Sequence, residues 1–217
     1  MFPAEALIFD MDGLLLDTEL LYFRATQMLV EPFGHRVEVE SYSEWIGRDV
    51  TFADFQRLYP CPISEEDLWP RMRLIFDRLC HEELALRPGA LEFLDTVAAP
   101  YPKAVASSSR MDAIVGHLTQ VGLVDRFAAL VSGKEVPRGK PAPDIFLEAA
   151  RQLGVPPARC VVFEDSPHGI RGAHAAGMRS VAVPTEYTAH CDFSLADQVV
   201  GRLTEVTAAW LAGEVMA

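Results

Sequence analysis

The sequence predicts an α/β protein: a Rossmann-like parallel sheet covered by helices, with an inserted all-helical cap domain. Three observations lead there. From about Pro88 onward, short apolar runs alternate with helical patterns, as in a parallel sheet buried on both faces. One more apolar run of the same kind, Ala6 to Phe9, stands apart near the N-terminus. Between about Asp17 and Leu86 the pattern is helical and offers no convincing strand.

The elements follow in order. Ala6-Leu7-Ile8-Phe9 predicts the first strand, which ends in Asp10 and Asp12 with Gly13 directly after. Two carboxylates crowded at a buried strand tip repel unless a cation or a shared proton sits between them. Carboxylate and carbonyl oxygens suit a hard cation such as Mg²⁺. In the insertion, Leu20, Phe23 and Val30 predict one apolar helical face, with Gln27 its polar exception. Val50, Phe52, Phe55 and Leu58 predict a shorter helix. Ser64-Glu65-Glu66-Asp67 reads as a helix start with acids in its first turn, and Leu68, Met72, Ile75, Phe76 and Leu79 follow as its apolar face. The later helices are predicted at Gly89 to Ala98, Met111 to Val121, Asp144 to Leu153 and Pro167 to Ala176. The later strands are predicted at Ala104 to Ala106, Ala128 to Val131, Cys160 to Phe163 and Ser180 to Val183. Residues 1–16 and 87–217 are then the α/β core and 17–86 the cap. An insertion at that point sits over the C-terminal strand ends, where open α/β sheets bind ligands.

Composition limits the partners. The chain has 217 residues, half of them hydrophobic, enough for one large domain or a core with an insertion. Its 31 acids against 19 Lys and Arg give a formal charge of −12. Such a surface gives no support for binding nucleic acid or an anionic membrane. A phosphorylated small molecule would have to be held locally, by a metal and one or two placed cations. Four cysteines lie scattered without CxxC spacing, which favours reduced thiols in a cytoplasmic protein over disulfides or zinc. No basic n-region suggests a signal peptide, and no apolar stretch approaches the roughly 18 residues of a membrane span.

The strand tips carry the chemistry. Ala104 to Ala106 runs into Ser107-Ser108-Ser109-Arg110. The next strand leads to Gly139-Lys140-Pro141-Ala142-Pro143-Asp144, and Cys160 to Phe163 ends in Glu164-Asp165-Ser166. In a parallel sheet all these tips share one edge. Phosphoryl transfer needs a nucleophile, neutralised equatorial oxygens and a proton for the leaving group. Asp10 and Asp165 suit Mg²⁺. Ser107 and the N–H after it suit phosphate oxygens, helped by the next helix N-terminus. Lys140 suits a position between carboxylate and phosphate, and Asp12 suits general acid and base work. Taken singly, the serines read as a helix cap, Lys140 as a loop residue and Glu164-Asp165 as a helix start. Gly133 to Lys140 superficially suggests a P-loop. Five residues rather than four separate Gly133 from Gly139, and Pro141 stands where Ser or Thr belongs.

These motifs resemble the haloacid dehalogenase (HAD) superfamily, in the branch of β-phosphoglucomutase and small sugar-phosphate phosphatases. Phe9-Asp10-Met11-Asp12-Gly13 through Asp17-Thr18-Glu19 resembles its first motif and Ser107 its second. Lys140 in Gly-Lys-Pro-Ala-Pro-Asp resembles the third, and Glu164-Asp165-Ser166 with Gly169 the fourth. The resemblance implies a Mg²⁺-dependent phosphatase acting on a small phosphate monoester, a sugar phosphate first. Asp10 would form an aspartyl-phosphate, and Asp12 would protonate the leaving oxygen and then activate water. The metal would lie between Asp10, the Asp12 carbonyl and Asp165, with Glu164 near or in its shell. Ser107, Ser108, Lys140 and Arg48 would bind substrate beneath a mobile cap, one chain sufficing as a monomer. An acid at position 12 favours phosphate esters over dehalogenation or phosphonate cleavage. A phosphosugar mutase is the alternative. The mutase carries a cap-facing histidine where this chain has Tyr22, and its cap loop resembles Ile46-Gly47-Arg48-Asp49 with the arginine placed further from the glycine. Both departures lean towards hydrolysis. Tyr22, Trp45, Arg48 and Arg71 are candidate specificity residues. A non-catalytic binding protein on the same scaffold is a further reading, against which stands a full catalytic set. A phospho-acceptor receiver domain fails on architecture, being shorter and without the insertion.

Overall fold

Central parallel strands must be apolar on both faces because helices cover both. Ala6–Phe9 (β1) meets that requirement with every residue buried. The computed structural model describes residues 2–43, 45–46 and 50–214. After β1 come four helices, Thr18–Val30 (α1), Val39–Ser43 (α2), Phe52–Leu58 (α3) and Glu65–Glu83 (α4). The core resumes with Ala90–Asp95 (α5), Lys103–Ser107 (β2), Met111–Gln120 (α6), Ala129–Ser132 (β3) and Asp144–Leu153 (α7). It closes with Cys160–Glu164 (β4), Pro167–Ala175 (α8), Arg179–Ala182 (β5), Gln198–Val199 (β6) and Ala208–Leu211 (α9).

The sheet order is β3-β2-β1-β4-β5-β6, with every pairing parallel. The order reverses at β1 and β4, the place where such sheets open a ligand crevice. Phe9 lies level with Val105 on one side and Phe163 on the other, so Asp10 and Glu164 leave the sheet side by side. Alternate residues build two cores. Leu7, Phe9, Val105, Val161 and Phe163 pack with Phe93 of α5 and Ile114 of α6. Phe9 stacks on Phe163 at 4.8 Å and 9°. On the other face Ile8, Ala104, Ala106 and Val162 meet Ile145, Phe146 and Ala149 of α7.

The helical segment has a core of its own, where Leu21, Ala25 and Leu29 of α1 meet Phe55 and the α4 residues Leu68, Met72, Phe76 and Leu79. Ser64 caps α4 as its sequence predicts, accepting from Asp67 N at 3.2 Å. The predicted face of α1 is rotated from the real one. Thr18, Leu21, Ala25, Thr26, Leu29 and Val30 are buried, whereas Leu20 is 37% exposed. Small and weakly apolar residues form much of the inward stripe, so weighting large side chains misplaces it. Gln27 is half-buried and turns its amide to the chain, accepting from Val37 N at 2.8 Å. Among the described residues no helix is long and apolar enough to cross a membrane.

Candidate active site

The β1 ladder continues one residue past the strand, where Asp10 N donates to Phe163 O at 3.0 Å. The chain then turns sharply at Gly13, whose φ of 82° falls in the left-handed region that glycine tolerates best. A Cβ there would lie 2.3 Å from Asp165 Oδ2, so the glycine also lets the β4 tip approach. The two crossings between core and helical segment run side by side. Asp17 N donates to Ala85 O at 2.9 Å, and Arg87 pairs with Asp17 at 3.3 Å.

Lys140 ties three tips together. Its Nζ donates to Asp10 Oδ1 at 2.5 Å, to Glu164 Oε1 at 2.5 Å and to Ala106 O at 2.9 Å. Those contacts use all three ammonium protons, and the side chain is 2% exposed. Burial works to lower its pKa, but Asp10 and Glu164 outweigh burial and raise it, so the charge stays. The other Glu164 oxygen, Oε2, accepts from Ser166 N at 3.0 Å and Ser166 Oγ at 2.9 Å. Gly169 leaves the room for this carboxylate, since a Cβ there would meet Glu164 at 1.9 Å. Burial pushes Asp10 well above the usual carboxylate range, opposed by Lys140 and reinforced by Glu164 and Asp12. Burial also pushes Asp165 well up, reinforced by Asp10, Glu164 and Glu19.

Asp12 is held asymmetrically. Its Oδ2 accepts from Ser107 Oγ at 2.9 Å and from Ser109 Oγ at 2.8 Å. Its Oδ1 is buried without a partner. The serines therefore serve the acid rather than the helix: α6 starts at Met111, and its N-cap residue Arg110 makes no side-chain capping bond. Ser132 at the β3 tip fixes this loop by donating to Ser109 O at 2.6 Å. Asp10, Asp12, Ser108, Ser109, Lys140 and Asp165 all line one cleft of about 470 Å³ between the sheet edge and the helical segment.

A family model described as "Haloacid dehalogenase-like hydrolase" matches residues 7–183. The chain belongs to the haloacid dehalogenase-like hydrolases. Among its relatives, "Probable pseudouridine-5'-phosphatase" of Drosophila melanogaster is 39% identical over 207 residues, covering 91% of this chain and 89% of that protein. "Hexitol phosphatase B" of Escherichia coli K12 is 34% identical over 217 residues and covers 96% of each. The crystal structure of CbbY from Rhodobacter sphaeroides in complex with phosphate superposes with a TM-score of 0.79 at 32% identity, covering 93% of this chain and 96% of that one. Relatives named as phosphatases agree with a phosphoric monoester hydrolase of this family.

The hydrolase thus gathers Asp10, Asp12, Lys140, Glu164 and Asp165 at one point. Ser108 faces the cleft, whereas Ser107 is fully buried beneath it and turned to Asp12. Tyr22 and Trp45 line the cleft from the helical segment. Arg48 lies outside the described residues. Arg71 sits on the exposed side of α4, near Asp67 at 3.8 Å, while Arg73 is the arginine of that helix that reaches the cleft. Among the described residues no three His, Cys, Asp or Glu side chains form a ready metal cluster. Asp165 Oδ2 is nevertheless buried without a partner beside Asp10. Two carboxylates completed by main-chain or water oxygens fit a hard cation.

Ser109, Glu19 and Tyr42 belong to the site and were not singled out from sequence. Tyr42 donates its hydroxyl to Glu19 Oε2 at 3.2 Å, and both line the cleft. Burial, then the Asp12 charge, pushes Glu19 up to about 7 from 4.5. An acid with a raised folded pKa contributes stability below its unfolded pKa and loses it as pH rises through the folded one. In metal-free buffer Glu19→Gln should therefore gain on the wild type as pH rises from about 4.5 to 7. Melting temperatures across that range check this, and a constant difference between the two proteins would contradict it.

Proposed function

We propose that this hydrolase is a Mg²⁺-dependent phosphatase that cleaves a small phosphate monoester through an aspartyl-phosphate on Asp10. The observation that carries the reading is the different state of the two acids at the β1 tip. Asp10 is fixed by the Lys140 ammonium, while Asp12 keeps one oxygen pinned by two serines and the other without a partner.

Asp10 attacks phosphorus as the ester P–O bond breaks, and Asp12 gives its proton to the departing oxygen through the free Oδ1. In the second half, water loses a proton to Asp12 and its oxygen attacks phosphorus. The Asp10–phosphorus bond then breaks, releasing inorganic phosphate and restoring both acids. Lys140 keeps positive charge beside the transferring group, and Ser108 meets a phosphate oxygen. Asp10, Asp165 and the Asp12 carbonyl would hold Mg²⁺, with Glu164 behind them on Lys140 and Ser166. The cation would supply charge neutralisation at the phosphoryl oxygens. Closure of the helical segment over the cleft excludes bulk water. One chain's segment covers its own site, so a monomer in the cytoplasm is sufficient. Tyr22 at the position of the mutase histidine supports water, rather than a sugar hydroxyl, as the final acceptor.

Phosphate release from a panel of phosphorylated metabolites tests this. Mg²⁺ should sustain turnover, EDTA should abolish it, and added Mg²⁺ should restore it. Activity surviving thorough metal removal would sink the metal-dependent scheme.

A further inference from the structure

Strand β5 and the turn after it bond the main chain of both acids at the β4 tip. Val183 N donates to Glu164 O at 2.7 Å, and Thr188 Oγ1 donates to Asp165 O at 2.9 Å. Glu164 is fixed through its carboxylate as well, by Lys140 and Ser166. Asp165 is fixed through its main chain, while its Oδ2 is buried without a partner. A carbonyl held in place fixes the peptide plane beside which that carboxylate projects.

The turn does not need the Thr188 hydroxyl to close. Thr188 N and Ala189 N both donate to Thr185 O, at 3.1 and 2.9 Å. The hydroxyl has one proton and a carbonyl can only accept, so that proton goes to Asp165 O. The Thr185 hydroxyl, 3.3 Å away, is then the donor between the two threonines, and Thr185 N donates to the same oxygen at 3.0 Å. Thr188 Oγ1 is thus saturated, and both threonines are buried. A fully bonded buried hydroxyl is held in one orientation.

Consecutive residues of this turn reach three parts of the molecule. Glu186 pairs with Arg87 at 3.5 Å, and Arg87 pairs with Asp17 at the crossing into the helical segment. Tyr187 is buried in the core of the helical segment, its ring centroid 5.6 Å from that of Phe23 and 5.7 Å from that of Tyr42. Thr188 holds Asp165.

We propose that Thr188 is a positioning residue for the metal site: its hydroxyl aims the Asp165 carboxylate by way of the Asp165 carbonyl, and Tyr187 braces it against the helical segment. This rests on the metal-dependent phosphatase reading above.

The test is calorimetric titration of the full chain with Mg²⁺ alone, at a temperature where circular dichroism shows each variant folded. Asp165→Asn marks the site and should lose most of the binding heat. Thr188→Val keeps the branched shape without the hydroxyl and should weaken Mg²⁺ binding by about 10- to 100-fold. Thr188→Ser keeps the hydroxyl and should bind as the wild type does. Thr188→Cys, with a weak donor, should fall between them and stands in if the valine variant does not fold. Tyr187→Ala should weaken binding by about 2- to 10-fold. In phosphate release the Thr188→Val deficit should narrow as Mg²⁺ is raised, which a general loss of structure would not produce. Thr188→Val or Thr188→Cys binding Mg²⁺ as tightly as the wild type, with Asp165→Asn impaired, would overturn the positioning role and leave the phosphatase reading standing. A loss in Thr188→Ser equal to that in Thr188→Val would overturn it too, because the hydroxyl would not be what matters. An unchanged affinity in Tyr187→Ala would overturn the brace. No Mg²⁺ binding by the wild type would remove the metal-dependent reading and the Thr188 role together.

Discussion

Asp10→Asn is expected to lower phosphate release by about 10⁴-fold or more while leaving the protein folded. The amide has the shape of the carboxyl group, and its oxygen still accepts from Lys140, so the buried contact survives in reduced form. What disappears is the nucleophile. Lys140 retains Glu164 as its ionic partner and so is not stranded. Burial already holds the Asp10 carboxyl well above its ordinary pKa, so the folded state is penalised for carrying the charge once pH passes the unfolded value. In metal-free buffer the neutral amide should therefore match or exceed the wild type in melting temperature at neutral pH, and its relative standing should improve as pH rises. Acid quenching during turnover adds a second readout. The wild type should carry transient label from a radiophosphorylated substrate, and the variant none. Wild-type activity in Asp10→Asn would remove Asp10 as nucleophile.

The first four strands of the core were legible because each is an apolar run that leads to a polar tip, β5 by its apolar run alone, and α7 matches its predicted bounds of Asp144 to Leu153. Short terminal pieces were not. Gln198–Val199 is a two-residue edge strand with Val199 54% exposed, and Ala208–Leu211 is a single turn. Neither is long enough to show a period. Within the site, charge and place in the chain single out Asp10, Lys140 and Asp165, and the structure brings these three together at the sheet edge. The serine roles depend on where hydroxyls turn. Ser107 and Ser109 reach across 95 and 97 residues to one oxygen of Asp12, a choice made by the fold of the loop. Arg71 and Arg73 make the same point on a helix: two residues apart, they lie about 200° apart around its axis, and only the structure says which faces the cleft.

Lys140→Met should cost about 3–5 kcal/mol, because it strands buried carboxylates instead of removing an ion pair whole. Asp10 and Glu164 are 8% and 1% exposed in their side chains, and Lys140 is their shared ion-pair partner. At about 2–4 °C per kcal/mol for a chain of this size, the melting temperature should fall by roughly 6–20 °C at neutral pH. The deficit has a direction in pH. Lys140 opposes the upward push of burial on Asp10, so its loss raises that pKa further. Stability is then complete below the unfolded carboxylate value and is lost as pH rises through the folded one. The gap to wild type should accordingly narrow on acidification towards about pH 4. Removing one stranded acid as well should recover part of the loss, so Lys140→Met with Glu164→Gln should melt above Lys140→Met alone. Both variants should release almost no phosphate. A melting temperature within a degree of wild type at neutral pH, or a double variant less stable than the single, would mean that the ammonium does not hold these tips together. The exposed pair Arg151–Glu148, at 2.7 Å with Arg151 72% exposed, is the control. Water replaces either partner there, and Arg151→Met should shift melting by no more than about 2 °C.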